Sequence, residues 1–380
     1  MKYNYIFSGL GLSTILVLNE MFENNLLVNK SVLVIEPNEI GSIQKTWCYW
    51  ENEIGKWDDY LNTKWNRALF LNEKLSVDCL NGQLIYKQID SKEFLVRLFE
   101  KLKQNIDITL VKEKFIFFSE DDKQVEVVSD QGSYSADYFF SSVLLDKEYQ
   151  NSTKYPLLNQ HFIGWFVESE DSFFDSEKVT FMDFSVEQKR NTRFMYILPF
   201  SKNKALFEYT LFSKKTLSEK EYEDEIILYL NKIGLNDYSI FKKEQGNIPM
   251  TVFPFWNKNK KRVLFIGSAG GWTKASTGYT FKNSVRKASE VVSFLKQENV
   301  DFRKFHKWNK YNFYDSLFID VLYQNNHLGK KVFSNMFSKV DPSLILRFLD
   351  ENTTLLEDFK IIMACPKFPF LKALFKKLIK

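Results

Sequence analysis

The sequence predicts an α/β protein built from an N-terminal dinucleotide-binding unit, an inserted β-rich domain and a helical C-terminal part. Three observations carry this reading. Residues 5–35 run strand, glycine turn, helix, strand; the middle of the chain holds alternating strand-like segments; and the final eighty or so residues have a largely helical pattern. With 380 residues, 44% of them hydrophobic and 26% charged, the chain can bury a sizeable core and divide into closely packed domains.

In the first unit, Tyr5-Ile6-Phe7 reads as a short buried strand, followed by Gly9-Leu10-Gly11-Leu12-Ser13-Thr14 and an apolar helical run through Phe22. Ser31 to Ile35 reads as a second buried strand, closed by Glu36 and Pro37. This is the Rossmann-type layout. Glycines let the backbone approach a pyrophosphate, a helix N-terminus favours its charge, and an acid ending the second strand accepts ribose hydroxyls. Candidate cofactor residues are therefore Gly9, Gly11, Leu12, Ser13 and Glu36. Thr14 stands where a third small residue is usual, and its branched side chain should crowd the helix against the strand.

Further along, 123–129, Phe194–Leu198 and Ala205–Phe212 read as strands, whereas Glu219–Ile233 and Asn283–Glu298 read as helices. Arg262-Val263-Leu264-Phe265-Ile266 is an apolar strand running into Gly267, Gly270 and Gly271, the pattern of a second close backbone approach to a cofactor. The expected division is 1–80 for the first part of the nucleotide domain and 81–250 for mixed structure, with the β-rich substrate domain over about 155–250. Residues 251–300 return to the nucleotide domain, and 301–380 form the helical part.

Composition excludes several classes. A net charge of +4 gives no broad electrostatic footprint for nucleic acid. Cys48, Cys79 and Cys365 are odd in number and scattered, which argues against a disulfide framework and fits a reducing compartment; His161, His306 and His327 form no metal pattern with them. The apolar N-terminal stretch is broken by Gly9, Gly11 and Glu20, against a secretory signal, and no apolar run approaches the roughly 18 residues of a membrane span. An aromatic share of 17%, including 37 Phe, suits either thick aromatic cores or a long apolar ligand.

Several segments together resemble the lycopene cyclase family. Thr46-Trp47-Cys48-Tyr49-Trp50-Glu51, Tyr86-Lys87-Gln88-Ile89, His161-Phe162 with Gly164-Trp165-Phe166, Met182-Asp183-Phe184 and Ile248-Pro249-Met250-Thr251 are similar to its landmarks in their order. The longest match is Ala269-Gly270-Gly271-Trp272-Thr273-Lys274-Ala275-Ser276-Thr277-Gly278-Tyr279-Thr280-Phe281. The resemblance implies a flavin fold related to aromatic hydroxylases and geranylgeranyl reductases, with FAD used in its reduced form. The implied substrate is lycopene. Each acyclic end is protonated, a neighbouring double bond closes the ring, and a proton is lost without net redox change. Lys45 and Thr46 join the implied cofactor set, Lys45 standing where the family usually carries Arg.

Leu206-Phe207-Glu208-Tyr209-Thr210 resembles the family's acidic motif, which makes Glu208 the candidate acid, with Asp183 as a second carboxylate candidate. On an alternating strand Glu208 shares a face with Leu206 and Thr210, opposite Phe207 and Tyr209. Apolar walls would favour its neutral form, as protonation of an alkene demands. The plain alternative is an exposed glutamate paired with a lysine such as Lys204. Trp47, Tyr49, Trp50 and Trp165 are candidates to line the polyene site and support a cation; the same aromatics also suit a core. His161 is a candidate hydrogen-bonding group near the flavin or a satisfied structural histidine.

Pro366 to Lys380 holds five lysines, no acid and seven large apolar side chains. At about 100° per residue, Phe370, Leu371, Leu374, Phe375, Leu378 and Ile379 fall on one half of a helix, and Lys372, Lys376, Lys377 and Lys380 on the other. This predicts an interfacial helix on an anionic bilayer, placing the protein peripherally on the cytoplasmic face of a membrane; the plain alternative is a terminal helix docked on the protein with a solvated lysine face. The alternatives left open are a flavin-dependent monooxygenase or reductase of a lipophilic substrate, and a carotenoid-binding protein without catalysis.

Overall fold

The computed structural model describes residues 2–42, 44–144 and 146–378. The chain opens with β1 (Lys2–Ser8), α1 (Leu12–Glu23) and β2 (Ser31–Ile35), the strand, turn, helix and strand read from the sequence. It continues through β3 (Thr46–Glu51), β4 (Thr63–Trp65), β5 (Arg67–Asn72), β6 (Leu75–Asp78), β7 (Ile85–Asp90), α2 (Ser91–Lys103), β8 (Asp107–Val111), β9 (Phe115–Glu120), β10 (Val125–Ser129) and β11 (Ser133–Ser141). After α3 (Glu148–Asn151) come β12 (Leu158–Ser169), β13 (Lys178–Asp183), β14 (Thr192–Pro199), β15 (Lys204–Ser213), α4 (Glu219–Lys232), β16 (Tyr238–Met250) and β17 (Val263–Phe265). The last part is α5 (Phe281–Leu295), α6 (Lys310–Gln324), α7 (Gly329–Lys339), α8 (Pro342–Leu349), α9 (Leu355–Ala364) and α10 (Lys367–Leu378).

The nucleotide sheet has the order β8-β2-β1-β11-β10-β9, with β17 joining the far half of β11. β8, β2, β1, β11 and β17 are parallel, and β10 and β9 form an antiparallel extension. Its central strands are buried on both faces, as parallel strands between covering layers require. One face packs Phe7, Val34 and Phe140 with Ile15, Leu18, Phe94 and Val291 of α1, α2 and α5.

The second sheet runs β16-β12-β15-β14-β13-β5-β6, antiparallel except for the β13–β5 pair. One face of β15 carries Phe207, Tyr209 and Leu211 against Tyr222, Ile226 and Leu230 of α4. The other carries Leu206 and Phe212 into a core with Phe333 and Met336 of α7 and Ile345 of α8. The face assignment read from the alternation of 205–212 is the one observed. A small sheet β3-β7-β4 is built from strands that flank β5 and β6 in the chain, and buried Lys87 of β7 is held by Glu51 (2.8 Å) and Asp58 (2.5 Å).

The division at residue 80 does not follow the sheets. β5 and β6 belong to the substrate-side sheet, and β8 to β11 belong to the nucleotide sheet. Parallel pairing of β5 with β13, more than a hundred residues away, and of β8 with β2 is non-local, and rhythm along the chain does not reveal it. Thr14 is also accommodated without crowding: its Oγ1 donates to the Gly9 carbonyl at 2.7 Å, turning the extra atom into a brace for the glycine turn.

Candidate active site

A cavity of about 640 Å³ lies outside the carboxyl ends of β1 and β2 and reaches the inner face of the second sheet. At its first end the backbone is shaped for close approach. Gly9 has φ +83°, and a β-carbon there would lie 2.2 Å from the Ser142 hydroxyl. Gly11 begins α1 with no side-chain cap, so the first-turn amides remain available to an anionic group beside Leu12 and Ser13. Glu36, at the end of β2, accepts the Leu10 amide at 2.8 Å through one oxygen, and the Asn38 amide at 3.0 Å through the other. Gly267 has φ +59°, and a β-carbon on it would meet Ser13 Oγ at 2.5 Å. These features fit the pyrophosphate and ribose of a dinucleotide. Lys45 is exposed on the rim, and Thr46 lines the wall.

Glu208 lines the same cavity. It is 9% exposed and accepts the Thr210 hydroxyl at 2.6 Å. Burial, with the neighbouring Glu244 charge adding to it, pushes its carboxyl up to about 8, while the Thr210 hydroxyl works in the opposite direction. Lys204 is paired instead with Glu168 at 3.3 Å, so the exposed ion-pair alternative for Glu208 does not hold. At the far end the walls are apolar: Phe181, Phe194, Phe212, Phe333, Met336 and Leu349. The arrangement sets a neutral carboxylic acid between a nucleotide-shaped end and a hydrocarbon-shaped end.

Other candidates fall elsewhere. Asp183 faces α4, accepting the Tyr229 hydroxyl at 2.6 Å and the Ser185 amide at 2.8 Å, because the register of β13 shifts between Thr180 and Asp183, so that Phe181 and Met182 both take the cavity side. Trp165 also points to the α4 side, with Lys243 over its ring at 5.3 Å. It follows Gly164, which faces the cavity, so strand alternation turns it away. Tyr49 stacks on Phe281 at 4.7 Å inside the nucleotide-side core. Trp50 stands behind the wall: its Nε1 donates to Asp350 at 2.8 Å, and its ring packs edge-on against Tyr279, which does line the cavity. Of the four proposed aromatics, Trp47 alone lines it.

Gly270 and Gly271 border a neighbouring cleft of about 760 Å³. A β-carbon on Gly270 would strike the Phe265 carbonyl at 2.1 Å, and Gly271 has φ +71°, so these glycines serve the turn that follows β17. His161 is a satisfied structural group. It bonds Ser213 at 2.7 Å and Tyr222 at 2.6 Å, and burial lowers it to about 4.

Sequence reasoning missed Glu244, Gln160, Tyr86 and Tyr196, which also line the cavity. Tyr86 and Tyr196 share a hydrogen bond of 2.8 Å, and Thr46 donates to Glu244 at 3.0 Å. Pairing of β12 with β15 and β16 brings Gln160 and Glu244 to Glu208, pairing of β14 with β15 sets Tyr196 opposite Glu208, and Tyr86 comes from β7 of the small sheet; no local signal announces these meetings.

Comparisons with known proteins agree with this geometry. Lycopene beta cyclase of Capsicum annuum is 28% identical over 295 residues, covering 70% of this chain and 56% of the relative. The chain thus spans about half the length of the curated relatives it matches. A geranylgeranyl bacteriochlorophyll reductase-like structure from Thermoplasma acidophilum aligns over 99% of both chains with TM-score 0.61 and 13% identity. A mutant of the halogenase PltM in complex with FAD aligns over 97% of this chain and 87% of its own, with TM-score 0.61 and 10% identity. These likenesses show the fold. The family model described as lycopene cyclase protein matches residues 6–375, and the chain belongs to that family.

Proposed function

We propose that this protein is a lycopene cyclase that closes β-ionone rings at the ends of an acyclic carotene, with Glu208 as the proton donor. The observation that carries the reading is the shared cavity: the Glu208 carboxyl, buried and neutral near physiological pH, lies between the glycine turn and an apolar chamber. Protonation of a terminal alkene needs an acid that water does not level, and desolvation supplies it. Apolar side chains hold the polyene end and exclude water from the cation. Relatives named as lycopene beta cyclases support the same substrate class.

The cofactor in this reading is FAD, held by Gly9, Gly11, Leu12, Ser13, Glu36 and Gly267, with Lys45 and Thr46 beside it. When bound in reduced form, it supplies negative charge that supports a carbocation. Purified protein with lycopene in liposomes, FAD and a reductant should form cyclic carotene, and Glu208→Gln should form none while still binding FAD. Equal product from Glu208→Gln would remove the acid from this residue.

The proposal includes peripheral attachment to the cytoplasmic face of a membrane. No described helix is long and apolar enough to span one. α10 packs on α6 through Ala373, with Lys377 paired to Asp320 at 2.7 Å. Phe370 is half-buried against the α7/α8 core, so the helix does not present the two clean halves expected. It nevertheless exposes Phe368, Leu371, Phe375 and Leu378, and α9 beside it exposes Leu355, Leu356 and Phe359. Exposed Lys360, Lys367, Lys372 and Lys376 accompany this apolar surface, as attachment to anionic lipid requires. Ile379 and Lys380 lie outside the described residues.

A further inference from the structure

We propose that Glu244 is the second carboxyl of the reaction, taking up the proton that the closed ring releases and returning it to Glu208. The inference rests on the cyclase reading and identifies a proton acceptor within the same site. Its basis is the register of three strands. Gly164 on β12 stands opposite Glu208 on β15 and opposite Glu244 on β16, which sets all three on one face in a single row. The central position has no side chain. A β-carbon at 164 would lie 3.5 Å from Glu208 Cβ, 3.3 Å from Glu244 Cγ and 2.8 Å from Leu206 Cδ1, so the two acids reach toward one another over space that only glycine leaves open. Both carboxyls line the cavity.

Their surroundings differ in the way an acid and its conjugate acceptor require. Burial raises the Glu244 carboxyl as well, but the Thr46 hydroxyl, received at 3.0 Å, and Lys242 on its own strand work in the opposite direction and favour its charge. Glu208 lies deeper: burial is the main influence that keeps its proton on, and repulsion from the Glu244 charge adds to it. The other titratable and charged groups around the pair are Cys48 on β3, Tyr86 and Asp90 on β7, Tyr196 on β14 and Tyr279 before α5. Burial pushes Cys48 up to about 12 and the three tyrosines well above their ordinary range, so these stay neutral. The two glutamates are left to exchange the proton.

The cycle balances. The O–H bond of Glu208 breaks as a C–H bond forms at the terminal alkene, and the adjacent carbon becomes a tertiary cation. A neighbouring double bond supplies the electron pair for the ring C–C bond, and the cation moves onto the ring. A ring C–H bond then breaks, its electrons form the ring double bond, and the proton goes to the Glu244 carboxylate. Transfer from Glu244 to the Glu208 carboxylate restores both groups. No electron leaves the substrate, and product and substrate are isomers.

The test follows the carboxyl C=O infrared band of the FAD-loaded protein across pH without carotene, in intact protein, Glu208→Gln and Glu244→Gln. The band absent from Glu208→Gln reports Glu208. In Glu244→Gln its midpoint should fall by about one pH unit or more, a tenfold loss of proton affinity. An unchanged midpoint overturns the pairing, whatever the activity. With lycopene, Glu244→Gln should turn over at least tenfold more slowly with its alkaline limb moved to lower pH, and Glu244→Asp should recover part of the rate. Full activity with an unmoved limb overturns the acceptor role. Absence of cyclic product from the intact protein counts against the cyclase reading alone, because the infrared titration still reports the pair. Should Glu244→Gln fail to bind FAD, Gly164→Ala asks the same question: its β-carbon intrudes between the acids and should move the Glu208 midpoint, and an unmoved midpoint overturns the proposal.

Discussion

The proposed chemistry at the residue scale turns on a carboxyl that burial holds neutral where most are charged. Glu208 titrates upward because burial withholds water from its ionised form. Activity that needs its proton should therefore hold through neutral pH and fall as pH rises past about 8, and Glu208→Gln should lose at least about 100-fold across that range. The sign for stability follows from the same shift. A carboxyl whose folded pKa is raised costs nothing below its unfolded value and progressively destabilises the fold as pH climbs toward the folded one. Glu208→Gln should match the intact protein in thermal stability near pH 4 and exceed it by roughly 2 to 4 kcal/mol near pH 9. A constant difference across pH would contradict the buried neutral acid. Asp183→Asn gives the contrast. Its carboxylate serves Tyr229 and Ser185 outside the cavity, so the change should cost about 1–3 kcal/mol of stability and leave turnover per folded molecule within about twofold.

These residues also show what the chain reveals of its site. Alternation within β15 puts Glu208 on the Leu206 face, and the resemblance marks it as an acid, so the proposed proton donor is legible locally. Glu244 is not. It sits in the polar run Lys242-Lys243-Glu244-Gln245, which reads as a solvated edge until β16 pairs with β12. Trp165 suits the polyene by its chemistry alone, whereas its strand position beside Gly164 sends it to the α4 core.

Among elements, the glycine turn between β1 and α1 is the most exposed to a single substitution. Gly9 holds φ +83°, with the Ser142 hydroxyl where a β-carbon would stand. Gly9→Ala should weaken FAD binding at least tenfold in a flavin fluorescence titration; unaltered affinity would show that the turn does not approach the cofactor. α10 makes the corresponding prediction for the membrane. Phe368→Ser with Phe375→Ser removes two exposed rings, each worth roughly 1.5–3 kcal/mol if inserted in lipid. Sedimentation with anionic vesicles should fall at least tenfold, and undiminished binding would place the attachment elsewhere. The amphipathic pattern of α10 was legible, but its docking through Ala373 onto α6 was not, since a helical wheel holds no information about the neighbouring helix.

The molecule as a whole joins two sheets that the chain builds in alternating pieces. β5 and β6 precede the segment that completes the nucleotide sheet, and β17 returns to that sheet after the second sheet is finished. Rhythm along the sequence identifies the strands and the nucleotide turn, but partners separated by a hundred residues are fixed only by the closed fold. Their meeting creates the cavity in which a nucleotide-shaped end, a neutral acid and an apolar chamber share one space. In the proposed cyclisation the proton returns to the acid pair and no reductant need be spent. Reductant oxidised per ring formed, counted anaerobically with lycopene in liposomes and FAD in its reduced state, tests this most directly. Many rings should close for each equivalent of reductant lost, with the product an isomer of the substrate. Loss of one equivalent per product, or steady oxidation of a nicotinamide reductant in air without cyclic carotene, would contradict it and make the protein a flavin monooxygenase or reductase.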